Sequence, residues 1–236
     1  MEKNLNFLKS NLIAHRGLHN NSDIPENSML AFEKAVENKN IIELDVHLLK
    51  DNTIVVMHDD DINRMTSKNG KLKELTYEDI KELKLLDTNE KIPKLEQVLR
   101  LVDGKVPIII ELKYDRKAGE LESELVKILD KYTGSFAVKS FNALSIRWIR
   151  KNRPNYIRGL LIGEKYKKWY DQLASKSIFM WLSKPDFVSC NYNLADNKRI
   201  QKIRKKKVAL AWTIRNKETY NLVKDKFDNF ICENIL

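Results

Sequence analysis

Residues 41–60 read "IIELDVHLLKDNTIVVMHDD". Two apolar runs, Ile41–Val46 and Thr53–His58, flank a turn-forming "KDN". A crossover between parallel strands needs about a dozen residues or more. The gap here is shorter and carries turn residues, so the two runs read as an antiparallel hairpin. If Asp51 and Asn52 form a two-residue turn, Asp45 pairs with His58. Elsewhere the apolar runs are spaced for crossovers. Strands are expected at Leu12–His15, Val106–Lys113, Ser135–Ser140, Ile157–Ile162, Phe187–Cys190, Val208–Thr213 and Phe230–Glu233. Helix-period patterns lie between them at Ser28–Glu37, Leu121–Lys131, Leu144–Lys151 and Glu218–Lys224. With Ile41–Val46 this makes eight continuous apolar strands alternating with helices. That is the signature of a parallel sheet covered on its outer face, and eight strands in this length fit an α/β fold of the (β/α)8 TIM-barrel type. The segment at about 59–105 departs from the rhythm. Its "LTYEDIKELKLL" (Leu75–Leu86) looks helical and a second helix starts after Pro93, so it reads as a small insertion over the catalytic face of a single domain spanning 1–236.

The chain has 236 residues, 42% of them hydrophobic, with only 7 Gly and 5 Pro, which excludes disordered and fibrous classes. No apolar run approaches the ~20 residues of a membrane span. The opening "MEKNLNFLKSNL" lacks an apolar signal core, so a cytoplasmic location is expected. Cys190 and Cys232 lie in strand-like runs and read as buried, reduced thiols. The net charge of +10 suits an anionic partner, phosphate esters included. The basic run Lys198, Arg199, Lys202, Arg204, Lys205, Lys206 and Lys207 reads as the solvated face and C-terminal end of a helix. No aromatic-interleaved basic motif supports nucleic-acid binding.

All four histidines, His15, His19, His47 and His58, fall in the first quarter of the chain. Glu43 and Asp45 are two apart on a strand and share a face, about 6.6 Å apart at ~3.3 Å per residue. Two carboxylates inside an apolar run need a cation, either a metal or a salt-bridge partner. "IIIELKY" repeats the device with Glu111 and Lys113. Glu111 can be a third carboxylate for the same ion and Lys113 can place an ammonium against a phosphate, with a structural ion pair to another strand as the alternative. His15 ends a strand, Arg16 supplies a planar fork for phosphate oxygens, and Gly17 allows a tight turn. His15, Glu43, Asp45, His58, Glu111 and Lys113 all fall at strand C-terminal ends or on the hairpin. That is the face where barrel enzymes react.

The motifs "AHRG", "PENS", "IELDV", "VVMHD", "IPKLEQVL", "ELK", "KSF" and "AWT" stand in an order and spacing over nearly the whole chain that resembles the glycerophosphodiester phosphodiesterase family, relatives of the phosphatidylinositol-specific phospholipases C. The resemblance implies a phosphodiester-cleaving barrel with one divalent cation, Mg²⁺ or Ca²⁺, held by Glu43, Asp45 and Glu111. It implies His15 and His58 as the general acid/base pair and Arg16 and Lys113 as phosphate-binding residues. Glu26 and Asn27 would line the edge of the site, with helix capping an alternative for Asn27 or Ser28. Phe141 and Trp212 match aromatic positions of the pocket wall, with a core role as the alternative. His19 and His47 match no catalytic position and are expected on the surface or in loops. Two departures stand out. "NFICENI" lacks the usual closing pattern, with Glu233 at the position of an aspartate, and Met65 replaces a common threonine beside Arg64.

The expected reaction is hydrolysis of a small glycerophosphodiester to sn-glycerol 3-phosphate and an alcohol. The attacking nucleophile is water or the substrate's own 2-hydroxyl. One alternative is lysophospholipase D or sphingomyelinase D-like action on lipids, motivated by the aromatics and lysines of Glu164–Leu182, although membrane-surface contact is not expected. An alternative from another class is a catalytically silent anion-binding barrel.

Overall fold

The structure is a computed structural model that describes residues 3–113, 117–163 and 177–234. Among these residues eight parallel strands close on themselves: β1 (Ile13–His15), β2 (Ile41–Leu48), β4 (Ile108–Leu112), β5 (Phe136–Ser140), β6 (Ile157–Ile162), β7 (Phe187–Asn191), β8 (Val208–Ile214) and β9 (Asn229–Cys232). The sheet runs β1-β9-β8-β7-β6-β5-β4-β2, and the pairing of β1 with β2 seals it. β3 (Ile54–Val56) lies antiparallel on the far end of β2. The expected (β/α)8 barrel with one hairpin is therefore the fold observed.

The hairpin register is one residue away from the expectation. Val46 pairs with Val56, and Asp45 accepts a backbone hydrogen bond from Met57, not from His58. The turn holds three residues, because the Leu49 N–H bonds to the Thr53 carbonyl. Asn52 closes it with a left-handed φ of 64°, a conformation that asparagine tolerates better than most residues. His58 still reaches the barrel mouth, because the chain leaves β3 before it and folds back over β2.

Helices among the described residues are α1 (Met29–Glu37), α2 (Tyr77–Ile80), α3 (Leu95–Val102), α4 (Glu120–Leu129), α5 (Ala143–Asn152), α6 (Ser177–Ser183), α7 (Lys198–Arg204) and α8 (Lys217–Val223). Four start at a side-chain cap. Ser28, Asn142, Asn197 and Asn216 each accept a first-turn N–H, worth about 1 kcal/mol per helix. The expected helix over 75–86 shrinks to the four residues of α2. Ile80 and Leu85 are drawn with Leu49, Val55, Met57, Met65 and Leu72 into a small separate core, and Leu86 turns left-handed at φ 51°. Met65 is part of that core.

Inside the barrel, Leu8, Ile13, Ile41, Ile109, Ala137, Phe187, Leu210 and Ile231 fill the end from which the strands enter. Gly159 makes room for the largest of them, since a Cβ there would lie 2.3 Å from the Phe187 ring. Leu8, on a 3-10 turn at Asn6–Lys9, plugs that end. The Asn229 amide ties the plug down with bonds of 2.8 Å to the Leu8 carbonyl and 2.6 Å to that of Asn11.

Cys190 and Cys232 are buried free thiols, each pushed by burial up to about 12. Lys198, Lys202, Lys205 and Lys206 are exposed along and after α7. Tyr166, Trp169 and Tyr170 lie outside the described residues, while Trp181 on α6 is exposed. No helix among the described residues is long and apolar enough to cross a membrane.

Candidate active site

Strand side chains alternate, so the residues two steps beyond the apolar barrel floor point inward as well. Those residues are charged. Glu43, Asp45 and Glu111 are buried at 0%, 1% and 6% exposure, and each offers an oxygen within 4.8 Å of the others. Register places them: Asp45 sits beside Glu111, and Glu111 beside Lys139. Lys139, the first residue of "KSF", joins the site without having been expected there. Its ammonium is 2% exposed and lies 2.8 Å from Glu43 Oε1 and 3.4 Å from Glu111 Oε2. The only sequence signal was its parity in β5, where it follows Ala137 by two. Lys113, one residue past β4, is 2.8 Å from Asp45 Oδ1 and 2.7 Å from Glu111 Oε1.

These charges hold one another. Burial pushes the Asp45 carboxyl up, but Lys113, His58, Arg16 and His15 outweigh it and keep Asp45 well below the ordinary carboxylate range. Burial acts likewise on Glu111 and is overcome by Lys113 and Lys139. Both ammonium groups are in turn held above their usual value against burial, Lys113 by Asp45 and Glu111, Lys139 by Glu43 and Glu111. Glu43 Oε1 and Asp45 Oδ1 are both buried and each faces a lysine ammonium at 2.8 Å. Three hard acids that bring an oxygen each within 4.8 Å of the others fit a divalent cation of the Mg²⁺ or Ca²⁺ type.

His15 ends β1 facing Glu43, with Nε2 3.9 Å from Glu43 Oε2. Its Nδ1 meets Glu233 Oε1 just after β9, and Glu233 Oε2 is 2.7 Å from Arg215 Nε. Burial would raise Glu233, but His15 and Arg215 bring it down to about 2. His58 is built the same way: Nδ1 lies 2.6 Å from Asp59 Oδ1, and Asp59 Oδ2 2.6 Å from Arg64 Nε. A carboxylate on Nδ1 fixes the imidazole tautomer and leaves Nε2 for other work. His15, His58, Arg16, Glu111, Lys113 and Lys139 line one cleft of about 340 Å³. Phe141 and Trp212 line it as well, packed edge-to-face with centroids 5.7 Å apart.

Directly after His15 the chain turns left-handed, at φ 57° for Arg16 and 80° for Gly17. A Cβ on Gly17 would lie 2.8 Å from the Ala31 backbone. The turn aims the Arg16 N–H at Glu43 Oε2, 3.2 Å away, and brings Arg16 Nε to 3.5 Å from Asp45 Oδ2. Glu26 and Asn27 do not belong to the cleft lining described here. Glu26 Oε1 receives Arg16 Nη1 at 2.7 Å, and its carboxylate also takes Arg64 and Asn21. Burial is outweighed by Arg64 and Arg16, which draw Glu26 down to about 2. Asn27 Nδ2 donates to Asp45 Oδ2 at 3.0 Å. Both residues contact charged groups of the site, Glu26 through Arg16 and Asn27 through Asp45. Helix capping goes to Ser28, which accepts from the Ala31 N–H. His47 corrects an expectation: it lies on β2, fully buried, with Nε2 3.3 Å from the His58 carbonyl oxygen. His19 sits half-buried in a loop, as expected.

The family model for the glycerophosphoryl diester phosphodiesterase family matches residues 15–233. The Bacillus subtilis protein YhdW, named as a candidate glycerophosphodiester phosphodiesterase, is 32% identical over 221 residues, 88% of this chain and 87% of its own. The glycerophosphodiester phosphodiesterase of Caldanaerobacter subterraneus subsp. tengcongensis is 35% identical over 165 residues, 65% of this chain and 67% of its own. Among solved structures, an Oleispira antarctica phosphodiesterase in complex with its product sn-glycerol 3-phosphate shares the fold, with a TM-score of 0.81 at 20% identity, over 95% of this chain and 93% of that one. The Thermotoga maritima glycerophosphodiester phosphodiesterase superposes with a TM-score of 0.74 at 26% identity, covering 94% of each chain. With the match running from the histidine that ends β1 to the glutamate that follows β9, this chain belongs to the glycerophosphoryl diester phosphodiesterase family and is a phosphoric diester hydrolase on a (β/α)8 barrel.

Proposed function

We propose that the cleft hydrolyses small glycerophosphodiesters to sn-glycerol 3-phosphate and an alcohol, with a divalent cation and with His15 and His58 as the acid/base pair. The observation that carries this reading is the pairing, around one cleft, of three converging buried acids with two imidazoles, each held at Nδ1 by a carboxylate. The product bound to the Oleispira relative supports sn-glycerol 3-phosphate as the retained half. Glu43, Asp45 and Glu111 would hold the cation, which when bound neutralises the phosphodiester and polarises its non-bridging oxygens.

The chain's own residues do the rest. Arg16 and Lys113 face the phosphate, and Lys139 adds a third positive charge to the cleft lining. Charge growing on phosphoryl oxygens in the transition state is what fixed cations stabilise best. Nε2 of one imidazole takes the proton of the attacking hydroxyl, and Nε2 of the other returns one to the leaving alkoxide. The two carboxylates take the Nδ1–H of both rings, so that Nε2 of each faces the reaction, bare in the base and protonated in the acid. Phe141 and Trp212 flank the cleft with apolar surface that suits the carbon faces of glycerol.

A panel of glycerophosphodiesters and lysolipids, assayed after chelation and after adding back Mg²⁺ or Ca²⁺, tests the reading. Activity on glycerophosphodiesters that chelation abolishes and one of the ions restores is the expected result. Turnover indifferent to chelation, or confined to lysolipids, overturns it.

A further inference from the structure

The two imidazoles are braced alike but not equally. Behind His15, the brace ends at Arg215, which itself lines the cleft and touches Glu233. Behind His58 it continues. Arg64 belongs to the insertion, outside the strands, and is not among the residues lining the cleft. Its Nε lies 2.6 Å from Asp59 Oδ2, while Nη2 and Nη1 lie 2.6 and 3.2 Å from the two oxygens of Glu26. Asp59 holds His58 Nδ1, and Glu26 holds Arg16 Nη1. One guanidinium therefore joins two groups of the site that enter from different segments, one after β3 and one after β1.

We propose that Arg64 is a positioning residue that fixes His58, through Asp59, and Arg16, through Glu26, in one rigid unit. The inference rests on the acid/base role given to His58 and the phosphate role given to Arg16. Three physical points carry it. A guanidinium presents a planar fork that meets two carboxylates at once; an ammonium is a single point charge and meets one well. Glu26 is 4% exposed, so its charge is held by Arg64, Arg16 and Asn21 with little help from water. Asp59, among the described residues, has His58 and Arg64 as its ion-pair partners, so without Arg64 its carboxylate is free to swing and carry the imidazole with it. A misplacement of about 1 Å in a reacting group costs roughly 10²-fold in rate. Met65, buried in the insertion core with its sulfur 3.0 Å from Arg64 Nη1, sets the base from which the arginine reaches.

The test uses the full chain with Arg64→Ala, Arg64→Lys, Asp59→Asn and the double variant of Arg64→Ala with Asp59→Asn. Arg64→Ala is expected to lower kcat/KM by roughly 10²-fold, in kcat because His58 is loosened and in KM because Arg16 is. Arg64→Lys recovers one of the two but not both. Arg64→Ala costs less in the Asp59→Asn background than alone. Nitrogen-15 NMR of the His58 ring in the metal-free protein reads the loosening without substrate, as a changed tautomer balance. If no variant, wild type included, cleaves a glycerophosphodiester, the proposed function fails while the NMR still decides on Arg64. A folded Arg64→Ala protein with wild-type kcat and KM, or with an unchanged His58 ring spectrum, overturns the inference. A loss of thermal stability alone, with kcat, KM and the ring spectrum unmoved, overturns it too.

Discussion

Two layers of the same barrel interior differ by two residues on each strand. Ile13 is followed by His15, Ile41 by Glu43, Ile109 by Glu111, Ala137 by Lys139, Leu210 by Trp212 and Ile231 by Glu233. One step of the pleat separates a dry apolar floor from a charged layer of similar burial. Backbone geometry is shared by the two; what differs is how each layer offsets the cost of leaving water. The floor gains from apolar area and tight packing. The charged layer must balance each ion against another, and it does so with Arg16, Lys113 and Lys139 set among Glu43, Asp45 and Glu111.

The contrast can be broken from either side. The largest effect is expected in the upper layer: His15→Ala or His58→Ala lowers kcat by roughly 10²–10⁴-fold, and circular dichroism shows each variant folded. Wild-type rates from either would remove that residue from the reaction. Next comes the floor. Phe187→Ala costs roughly 3–5 kcal/mol of stability, read by urea unfolding, with kcat per folded molecule unchanged. Lys139→Met sharpens the comparison, because it unbalances the acids without touching the floor. Breaking a buried pair costs about 3–5 kcal/mol. Part of that loss should return on adding Mg²⁺ or Ca²⁺, measured as a greater rise in Tm for the variant than for the wild type.

The smallest effect is in the dependence on acid. Glu26 is held near 2 in the folded protein against an ordinary 4.5. A depressed folded value means stability that is present above about pH 4.5 and is lost as pH falls toward 2. Glu26→Gln should therefore flatten the unfolding free energy over that window while leaving its slope above pH 5 alone. A slope unchanged between pH 4.5 and 2 would show that Glu26 is not bound as tightly as its contacts imply.

The layered pattern also explains what was legible in the sequence. Acids inside apolar strands stand out, because nothing but a cation justifies them there; Glu43, Asp45 and Glu111 could be picked out for that reason. Strand spacing was equally clear, since a parallel crossover has a minimum length. Lys139 escaped because a lysine near a strand end resembles any solvent-facing lysine until register places Glu111 beside it. The hairpin slipped by one residue because turn length depends on the φ of Asn52, which composition does not reveal. The helix expected at 75–86 failed because Leu72, Ile80 and Leu85 serve a local core whose partners lie scattered from 49 to 92. Arg64, the distant partner of Glu26, is invisible from "PEN".

The tie between Asn229 and the opening plug spans 221 residues of chain. Glu233, which braces the first imidazole, lies just beyond the same strand. During synthesis the barrel therefore remains an unsealed cup with bare edges at β1 and β8 until β9 leaves the ribosome. Sealing the wall and arming His15 happen in one late event, so a nascent chain halted before β9 has neither a closed wall nor a finished acid/base pair.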